Sequence, residues 1–319
     1  MRLILTALLA LASLGSPAHA QEFPARPVKL VVPYPAGGAS DTTARLIAQK
    51  VSATLGQPMV VENRVGAGGT IAFEHVAKSA PDGYTLLWAP GSMAVAPALQ
   101  KVGYDVVRDY APVAQIVAVQ HVLVVPASST IRSLDDLLAA ARSRPGGMNY
   151  ASAGPGSMPQ LAMELLLSRT GTRITHVPYK GDTPALTDLL GGQVDVYFAT
   201  LSGAVMQHVR DGRLRALAVS CATRSAALPE VPTVAEAGVR GYELASWFGI
   251  AAPRGTPAAI VEKLNARIVE AVAAPDVRER LVAAGTDPAP SSAPQFASLM
   301  AESSRTYEGI VKAAGIRLE

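Results

Sequence analysis

The segment VKLVVPYPAGGASDTTAR, residues Val28–Arg45, organises the rest of the chain. It opens with a β-rich apolar run, turns through Pro35–Gly38, and continues with apolar residues spaced every three or four positions, as in a helix. Ser40 and Asp41 stand where an N-cap is expected, because their side-chain oxygens can accept the first free helical N–H groups. Together these features predict an anion site, although a glycine turn is equally compatible with a tight connection that binds nothing.

Length and composition predict a protein with a substantial core. The chain has 319 residues, of which 49% are apolar and 17% charged, and this length favours about two domains. Its formal net charge is +3, and the charges are scattered rather than clustered, so we expect no nucleic-acid binding. Cys221 lies in an apolar strand pattern, LRALAVSCA, which predicts a packed thiol rather than a nucleophile.

Residues 1–20 have the features of a cleavable signal peptide. Arg2 supplies a positive start, Leu3–Leu14 form an apolar run, and Ala18–Ala20 is a small-x-small cleavage signature. The apolar run is too short to span a membrane, and no cysteine near the cleavage point offers a site for a lipid anchor. We therefore expect a free periplasmic protein that begins at Gln21.

Strand and helix patterns alternate along the mature chain, which predicts an α/β fold with mostly parallel sheets flanked by helices. Glycine and hydroxyl residues follow several of the predicted strands. These turns span residues 35–41, 153–157, 179–181 and 200–203. Ligands of such sheets bind outside the carboxyl ends of the strands, so we expect all of these turns to face one cleft.

The same pattern predicts two domains on either side of that cleft. Residues 21–122 and 245–319 are expected to form the first domain, and residues 123–244 the second. Two crossings between the domains make a hinge.

Several segments resemble solute-binding proteins of the tripartite tricarboxylate transporter family, also called Bug proteins. In chain order they are PVKLVVPYPAGGASDTTAR, NRVGAGGTIAFEHVAKSAPDGYTLLWA, VPYKGDTPALTDLLGGQVDVYF, LPEVPTVAEAGVRGYE and WFGIAAPRGTPAAIVEKLN. The resemblance covers nearly the whole mature chain. It implies a two-domain, type II-like periplasmic binding protein fold that closes on a small, usually carboxylated solute.

The resemblance also implies where the solute binds. In the family, the loop that matches Pro35–Asp41 holds a ligand carboxylate through main-chain groups and bridging waters, and loops of the second domain complete the pocket. The expected ligand-binding residues are Tyr34, Ala36, Gly37, Gly38, Ser40, Asp41, Ser92, Ser152, Gly156, Ser157, Gln160, Tyr179, Lys180, Gly181, Thr200 and Ser202.

Three of the expected or neighbouring residues leave alternatives open. Many relatives have a histidine where this chain has Gln160, so a neutral amide replaces a titratable ring if that side chain touches the solute. Asp41 is either a helix cap or a contact to a hydroxyl, amine or water of the solute. Trp247 is expected to pack between the domains rather than to stack on an aromatic solute.

We expect a binding protein rather than an enzyme. The sequence has no nucleophile elbow and no HExxH or CxxC metal spacing, so no catalytic residue, cofactor or metal is predicted. The expected partners are a small carboxylate and the permease subunits of a tripartite transporter, with the protein itself a monomer. The alternative is a periplasmic sensor that reports the same ligand to a membrane receptor.

Overall fold

The protein folds around two β-sheets with helices packed against them. The computed structural model describes residues 23–317, so the predicted signal peptide and the cleavage point before Gln21 lie outside the described residues. Within them, a six-stranded sheet has the order β11-β4-β10-β3-β1-β2 and a five-stranded sheet the order β7-β6-β8-β5-β9. The strands are β1 Val28–Val32, β2 Met59–Asn63, β3 Thr85–Pro90, β4 Tyr110–Val119, β5 His121–Pro126, β6 Asn149–Ser152, β7 Thr175–Pro178, β8 Val196–Thr200, β9 Leu214–Val219, β10 Ser246–Pro253 and β11 Thr286–Pro288.

Helices connect most of the strands. Among residues 23–317 they are α1 Ala39–Leu55, α2 Thr70–Ala77, α3 Ala96–Leu99, α4 Leu134–Ser143, α5 Met158–Thr170, α6 Asp182–Leu190, α7 Gly203–Arg210, α8 Ala258–Ala273, α9 Pro275–Ala283 and α10 Ala293–Ala314. Two 3₁₀ turns, Ala67–Gly69 and Gly91–Ala94, precede α2 and α3. No helix in the described range combines the length and apolarity needed to cross a membrane.

Both sheets contain strands that run against the main direction. β1 pairs in parallel with β2 and β3, whereas β10 lies antiparallel between β3 and β4. In the second sheet β6 is parallel to β7 and β8, whereas β5 lies antiparallel between β8 and β9. β1–β4 therefore share one direction, as do β6–β9. The expected α/β class with mostly parallel sheets is confirmed, with an antiparallel strand inserted inside each sheet.

The chain passes from the first sheet to the second through Gln120, the single residue between β4 and β5. It returns through the segment that joins β9 to β10. The buried Gln120 side chain donates from Nε2 to Asp287 Oδ2 (2.6 Å) and to the Thr223 carbonyl (3.3 Å), which ties the crossing to β11 and to the return segment. The domain boundaries at 122 and 245 remain a prediction.

Apolar packing also joins the two halves of the molecule. One core cluster contains Phe296 of α10 together with Leu161 of α5, and α10 packs directly against α5. The Tyr242 hydroxyl donates to the Ala162 carbonyl of α5 at 2.9 Å. The two sheets therefore share a buried contact in addition to the covalent crossings.

The one cysteine is part of the packed interior, as its sequence context predicts. Cys221 is 7% exposed, and its Sγ lies 3.7 Å from the Leu244 carbonyl. Burial raises the pKa of the Cys221 thiol to about 12. A protonated, buried thiol is a poor nucleophile, so the prediction of a structural cysteine is confirmed.

Candidate functional site

A cavity of about 520 Å³ lies where strand ends of the two sheets meet. The antiparallel strands bring these ends together, because the first residues of β10 and β5 lie beside the last residues of their neighbours. Ser246 pairs with Val119 in the first sheet, and His121 pairs with Thr200 in the second; all four line the cavity. Three of the four turns that the sequence predicts to face one cleft contribute to the cavity wall, namely 35–41, 153–157 and 200–203, whereas residues 179–181 are absent from it.

The turn between β1 and α1 contributes Gly38 and Ser40 to the cavity wall. Helix α1 begins at Ala39 with Gly38 as its N-cap, so the prediction that Ser40 and Asp41 cap the helix is wrong; both lie in its first turn. Gly38 has no side chain that could bond the free N–H groups at this helix end. The Ser40 hydroxyl oxygen accepts a hydrogen bond from Trp88 Nε1 at 2.9 Å.

Asp41 stabilises the turn between β1 and α1 from outside the cavity. It is 2% exposed and does not line the cavity. Its carboxylate accepts hydrogen bonds from the Gly37 N–H (2.9 Å), Arg45 Nε (2.9 Å) and Asn63 Nδ2 (2.7 Å). Burial raises the pKa of Asp41, but these three hydrogen bonds outweigh burial, and the pKa is lower than that of an ordinary aspartate. The structure thus places Asp41 as a brace for the loop rather than as a lining residue.

Tyr34 and Ser92 form a pair of hydroxyls on the same wall. Their oxygens lie 2.9 Å apart, and both residues line the cavity. Burial raises the pKa of Tyr34, so its hydroxyl keeps its proton and can donate a hydrogen bond. Gly91, the residue before Ser92, lies close to β10. A Cβ on Gly91 would be 2.8 Å from Ser246 Oγ, so only glycine fits there without a shift.

The start of α5 faces the cavity from the second sheet. Ser157, Met158 and Pro159 all line it. Ser157 is the N-cap of α5, yet its hydroxyl makes no capping bond, and its Oγ is buried without a hydrogen-bond partner among residues 23–317. Because an unpaired buried hydroxyl costs free energy, Ser157 is the kind of group that a bound solute would satisfy.

Three expected site residues lie beneath this loop. Ser152 Oγ accepts from the Gly154 N–H (3.1 Å) and lies 2.7 Å from His176 Nε2. Gln160 Oε1 accepts from the Gly156 N–H at 2.7 Å, and Gln160 Nε2 lies 3.3 Å from His176 Nδ1. Ser152, Gly156 and Gln160 are absent from the cavity wall and shape the loop that Ser157 ends.

The structure therefore divides the sixteen expected residues into two groups. Those that line the cavity are Tyr34, Gly38, Ser40, Ser92, Ser157 and Thr200. Those that lie outside its lining are Ala36, Gly37, Asp41, Ser152, Gly156, Gln160, Tyr179, Lys180, Gly181 and Ser202.

Several residues of the second group have structural roles of their own. The Tyr179 hydroxyl donates to Asp188 at 2.8 Å, and Ser202 caps α7 by accepting from the Val205 N–H at 3.4 Å. Lys180 is exposed on the loop before α6, and Gly181 is the N-cap of α6 with φ 117°, in the left-handed region that favours glycine.

Two chemically active residues that the sequence does not assign to the site also line the cavity. His121 is 1% exposed and its Nδ1 has no hydrogen-bond partner among residues 23–317. Burial lowers the pKa of His121 to about 4, although the charge of Asp182 acts in the opposite direction. Asp182 is the first residue of α6, and its Oδ1 accepts hydrogen bonds from the Tyr197 and Thr200 hydroxyls, the latter at 3.2 Å. The one sequence signal for Asp182 is its position directly after the predicted loop 179–181.

Residues of β4, β10 and the start of α5 contribute apolar surface to the cavity wall. Phe248 lines the cavity, whereas its neighbour Trp247 points to the other face of the sheet, as alternate residues of a strand do. Trp247 is fully buried, donates from Nε1 to Ser303 at 3.0 Å and packs edge-to-face on Phe296. The expectation that Trp247 packs rather than stacks on a solute agrees with this position.

The described lining offers hydroxyls, apolar surface, the starts of α1, α5 and α6, and the Asp182 carboxylate, but no lysine or arginine. Nor does any group of three or more His, Cys, Asp or Glu within residues 23–317 have the arrangement of a metal site. The chemistry available to an anion is therefore that of backbone N–H groups and neutral donors.

Comparison with known proteins places this cleft in a family. A family model described as "tripartite tricarboxylate transporter family receptor" matches residues 43–316. Protein BugT of Bordetella pertussis is 40% identical over 314 residues, which covers 98% of this chain and 96% of BugT.

Two solved structures from Rhodopseudomonas palustris are similar over their whole length. Rpa4515, determined with adipate, is 39% identical with a TM-score of 0.80, covering 93% of this chain and 100% of that one. MatC (Rpa3494), determined with bound malate, is 36% identical with a TM-score of 0.74, covering 91% of this chain and 100% of that one. With matches of this extent, the chain belongs to the receptor family of the tripartite tricarboxylate transporters.

Proposed function

We propose that the protein is a periplasmic receptor that captures a small organic carboxylate in this cleft and delivers it to the membrane subunits of a tripartite tricarboxylate-type transporter. The observation that carries the proposal is the meeting of two helix N-termini, those of α1 and α5, at one cavity. Neither helix end has a side-chain cap. Adipate and malate in the two R. palustris relatives are both small carboxylates, which supports this class of ligand.

The carboxylate is held by dipoles rather than by a side-chain cation. N–H groups at the starts of α1 and α5 carry partial positive charge, and the hydroxyls of Ser40, Ser92 and Ser157 stand beside them. Asp41 in the first turn of α1 lies outside the cavity lining and is paired with Arg45. A hydrogen bond to a charged group contributes about 1.5–3 kcal/mol, so a few such bonds give useful affinity and still allow release.

The remaining wall suits the carbon skeleton of the solute. Val119, Met158 and Phe248 present apolar surface to the cavity. A volume of about 520 Å³ lies within the roughly 300–1,000 Å³ range of small-molecule sites. We infer that short aliphatic chains pack here while the carboxylate contacts the helix ends.

We propose binding without chemical turnover. The pair that most resembles a nucleophile and its base is Ser152 with His176, but Ser152 is fully buried and lies outside the cavity lining. His121 does line the cavity, and its Nδ1 bonds to no described residue, so no described serine is activated there.

The location follows from the family and from the N-terminal sequence together. A similar solved structure, BugD, is described as a periplasmic binding protein, 32% identical to this chain. The predicted signal peptide at residues 1–20 supports export of this chain to the same compartment, where we propose that it acts as a monomer.

Titration calorimetry of the mature protein with a panel of small mono- and dicarboxylates, including adipate and malate, tests the proposal. We expect one site per chain and recovery of the unchanged compound. Ser157→Ala should weaken binding, whereas Ser168→Ala, an exposed serine on the same helix, should leave it unchanged. Failure of the whole panel to bind, or recovery of a chemically altered compound at catalytic rates, would contradict the proposal.

A further inference from the structure

Asp182 gives the cavity a feature that carboxylate capture alone does not require. It is the one Asp, Glu, Lys or Arg among the described residues that line the cavity. It opens helix α6, so the protein's own carboxylate occupies the positive end of that helix. Helix α5, by contrast, has no acidic residue in its first turn. The second sheet thus offers an anion one favourable helix end and one that already has an acid.

The Asp182 carboxylate is only half satisfied by the protein. The Tyr197 and Thr200 hydroxyls both donate to Oδ1. Residues 23–317 provide no hydrogen bond or ion pair to Oδ2. Two donors on one oxygen fix the orientation of the carboxylate, while the other oxygen remains available to a group in the cleft.

No side chain among residues 23–317 forms an ion pair with this acid. His121 lines the same cavity and feels the charge of Asp182, but burial keeps its imidazole neutral near pH 7. Asp182 is exposed in this structure, so water can solvate its free oxygen. A solute that covers this carboxylate would displace that water, and an ammonium group is the partner that compensates a carboxylate for the loss.

We infer that the solute carries an ammonium group in addition to its carboxylate, that this group pairs with Asp182, and that Asp182 discriminates against solutes with a second negative charge. The inference rests on the proposed function. It narrows the class of ligand to short amino acids whose carboxylate and ammonium groups stand at opposite ends of the molecule. The carboxylate contacts the starts of α1 and α5, the carbon chain packs on Phe248 and Met158, and the ammonium donates to Oδ2 of Asp182.

Matched compounds that differ only at one end test the inference by calorimetry. The pairs are 6-aminohexanoate with adipate and 4-aminobutyrate with succinate, with hexanoate as the compound that lacks a second polar end. We expect the wild-type protein to bind the better amino compound about tenfold or more tightly than its dicarboxylate partner, as one charge-assisted hydrogen bond predicts.

Asp182→Asn should remove this preference and strengthen binding of the dicarboxylate. The matched control is Asp135→Asn, which removes the same charge from the first turn of α4 at an exposed position outside the cavity. The control should keep the wild-type preference. Asp182→Ser, which retains an oxygen at the helix start, replaces Asp182→Asn if the amide variant does not fold.

The outcomes separate this inference from the proposed function. A wild-type preference for the dicarboxylates, or an amino preference that survives in both Asp182 variants, overturns the role of Asp182 while carboxylate capture stands. Binding of none of the five compounds by the wild type contradicts the inference, and failure of the wider carboxylate panel then contradicts the proposed function as well.

Discussion

Asp41 serves the binding turn without facing the cavity. Its carboxylate joins the loop N–H of Gly37, the helix residue Arg45 and the strand residue Asn63. Asn63 in turn donates to the Tyr34 carbonyl at 2.9 Å. The position of the first helix end relative to Tyr34 therefore depends on one buried acid.

We expect Asp41→Ala to lower the free energy of unfolding by about 1–3 kcal/mol, because it leaves buried donors without an acceptor. Asp41→Asn should cost less, since the amide oxygen still accepts one of the three bonds. Urea unfolding followed by circular dichroism measures both. A stability equal to wild type for Asp41→Ala would show that the network contributes nothing.

The lowered pKa of Asp41 also predicts a pH dependence. A carboxyl whose folded pKa lies below its unfolded value of about 4 contributes its full stability above that value and loses it as pH falls through the folded pKa. The stability difference between wild type and Asp41→Asn should therefore shrink from pH 7 to pH 3. Asp135→Asn is the control, and a difference that stays constant with pH would contradict the assignment.

The sequence identifies loops that contribute to the cleft but not which of their residues face it. Ser152 and Gln160 flank the predicted turn 153–157, at the end of β6 and in α5, and both lie outside the cavity lining, beside His176. His121 reaches the cavity through its pairing with Thr200, a register between strands far apart in the chain. Pairing between strands that are far apart in the chain is set only when the sheet assembles, so local sequence patterns do not predict which residues it brings to the cavity.

At the scale of elements, the turn into α1 depends on two glycines with different roles. Gly37 has φ 82°, in the left-handed region that glycine alone adopts readily. Gly38 has φ −72°, and a Cβ there would lie 3.6 Å from the Pro35 carbonyl oxygen, an ordinary contact. Gly37 thus shapes the turn, while Gly38 leaves open the space in front of the helix end.

These roles predict opposite effects of the same substitution. Gly37→Ala should lower the free energy of unfolding by about 1 kcal/mol through backbone strain. Gly38→Ala should leave stability nearly unchanged but weaken carboxylate binding, because its methyl group enters the cavity wall. Thermal unfolding and calorimetry separate the two effects.

Lys180→Ala is the control for this pair, because Lys180 is exposed and outside the lining. It should change affinity only slightly. Loss of binding in Lys180→Ala with retained binding in Gly38→Ala would contradict the model of an anion held by helix ends.

The spacing of apolar residues in the sequence predicts most of the strands and helices but not strand β4. The alternation of strands and helices is plain around β1, β3 and β8, whose flanking turns contain glycine. In β4 the buried positions do not alternate, because its pairing with β10 shifts register near Gly249 and again near Ala251. A strand with such irregularities lacks the period-two pattern from which a strand is recognised.

At the scale of the molecule, the two crossings and the shared apolar contact constrain how the cleft closes. We expect rotation about Gln120 and the return segment to bring the starts of α1 and α5 together, while α10 stays packed on α5. Small-angle scattering should show a smaller radius of gyration when a bound carboxylate saturates the protein.

Gly38→Val provides the comparison for this measurement, since it should fold but not bind. Addition of the same compound to Gly38→Val should leave the scattering unchanged. An unchanged radius for saturated wild-type protein would rule out hinge closure.

The order of strands in the first sheet has a consequence for how the protein folds during synthesis. β10 lies at the centre of that sheet, between β3 and β4, although the whole second sheet precedes it in the chain. Until residues 246–253 have emerged from the ribosome, β3 and β4 each expose an edge that is open to wrong partners. We therefore expect the first sheet to be completed only after residues 246–253 are made, unlike domains that fold during synthesis. Such late completion would suit the export proposed above, because an export channel takes a chain that has not yet folded.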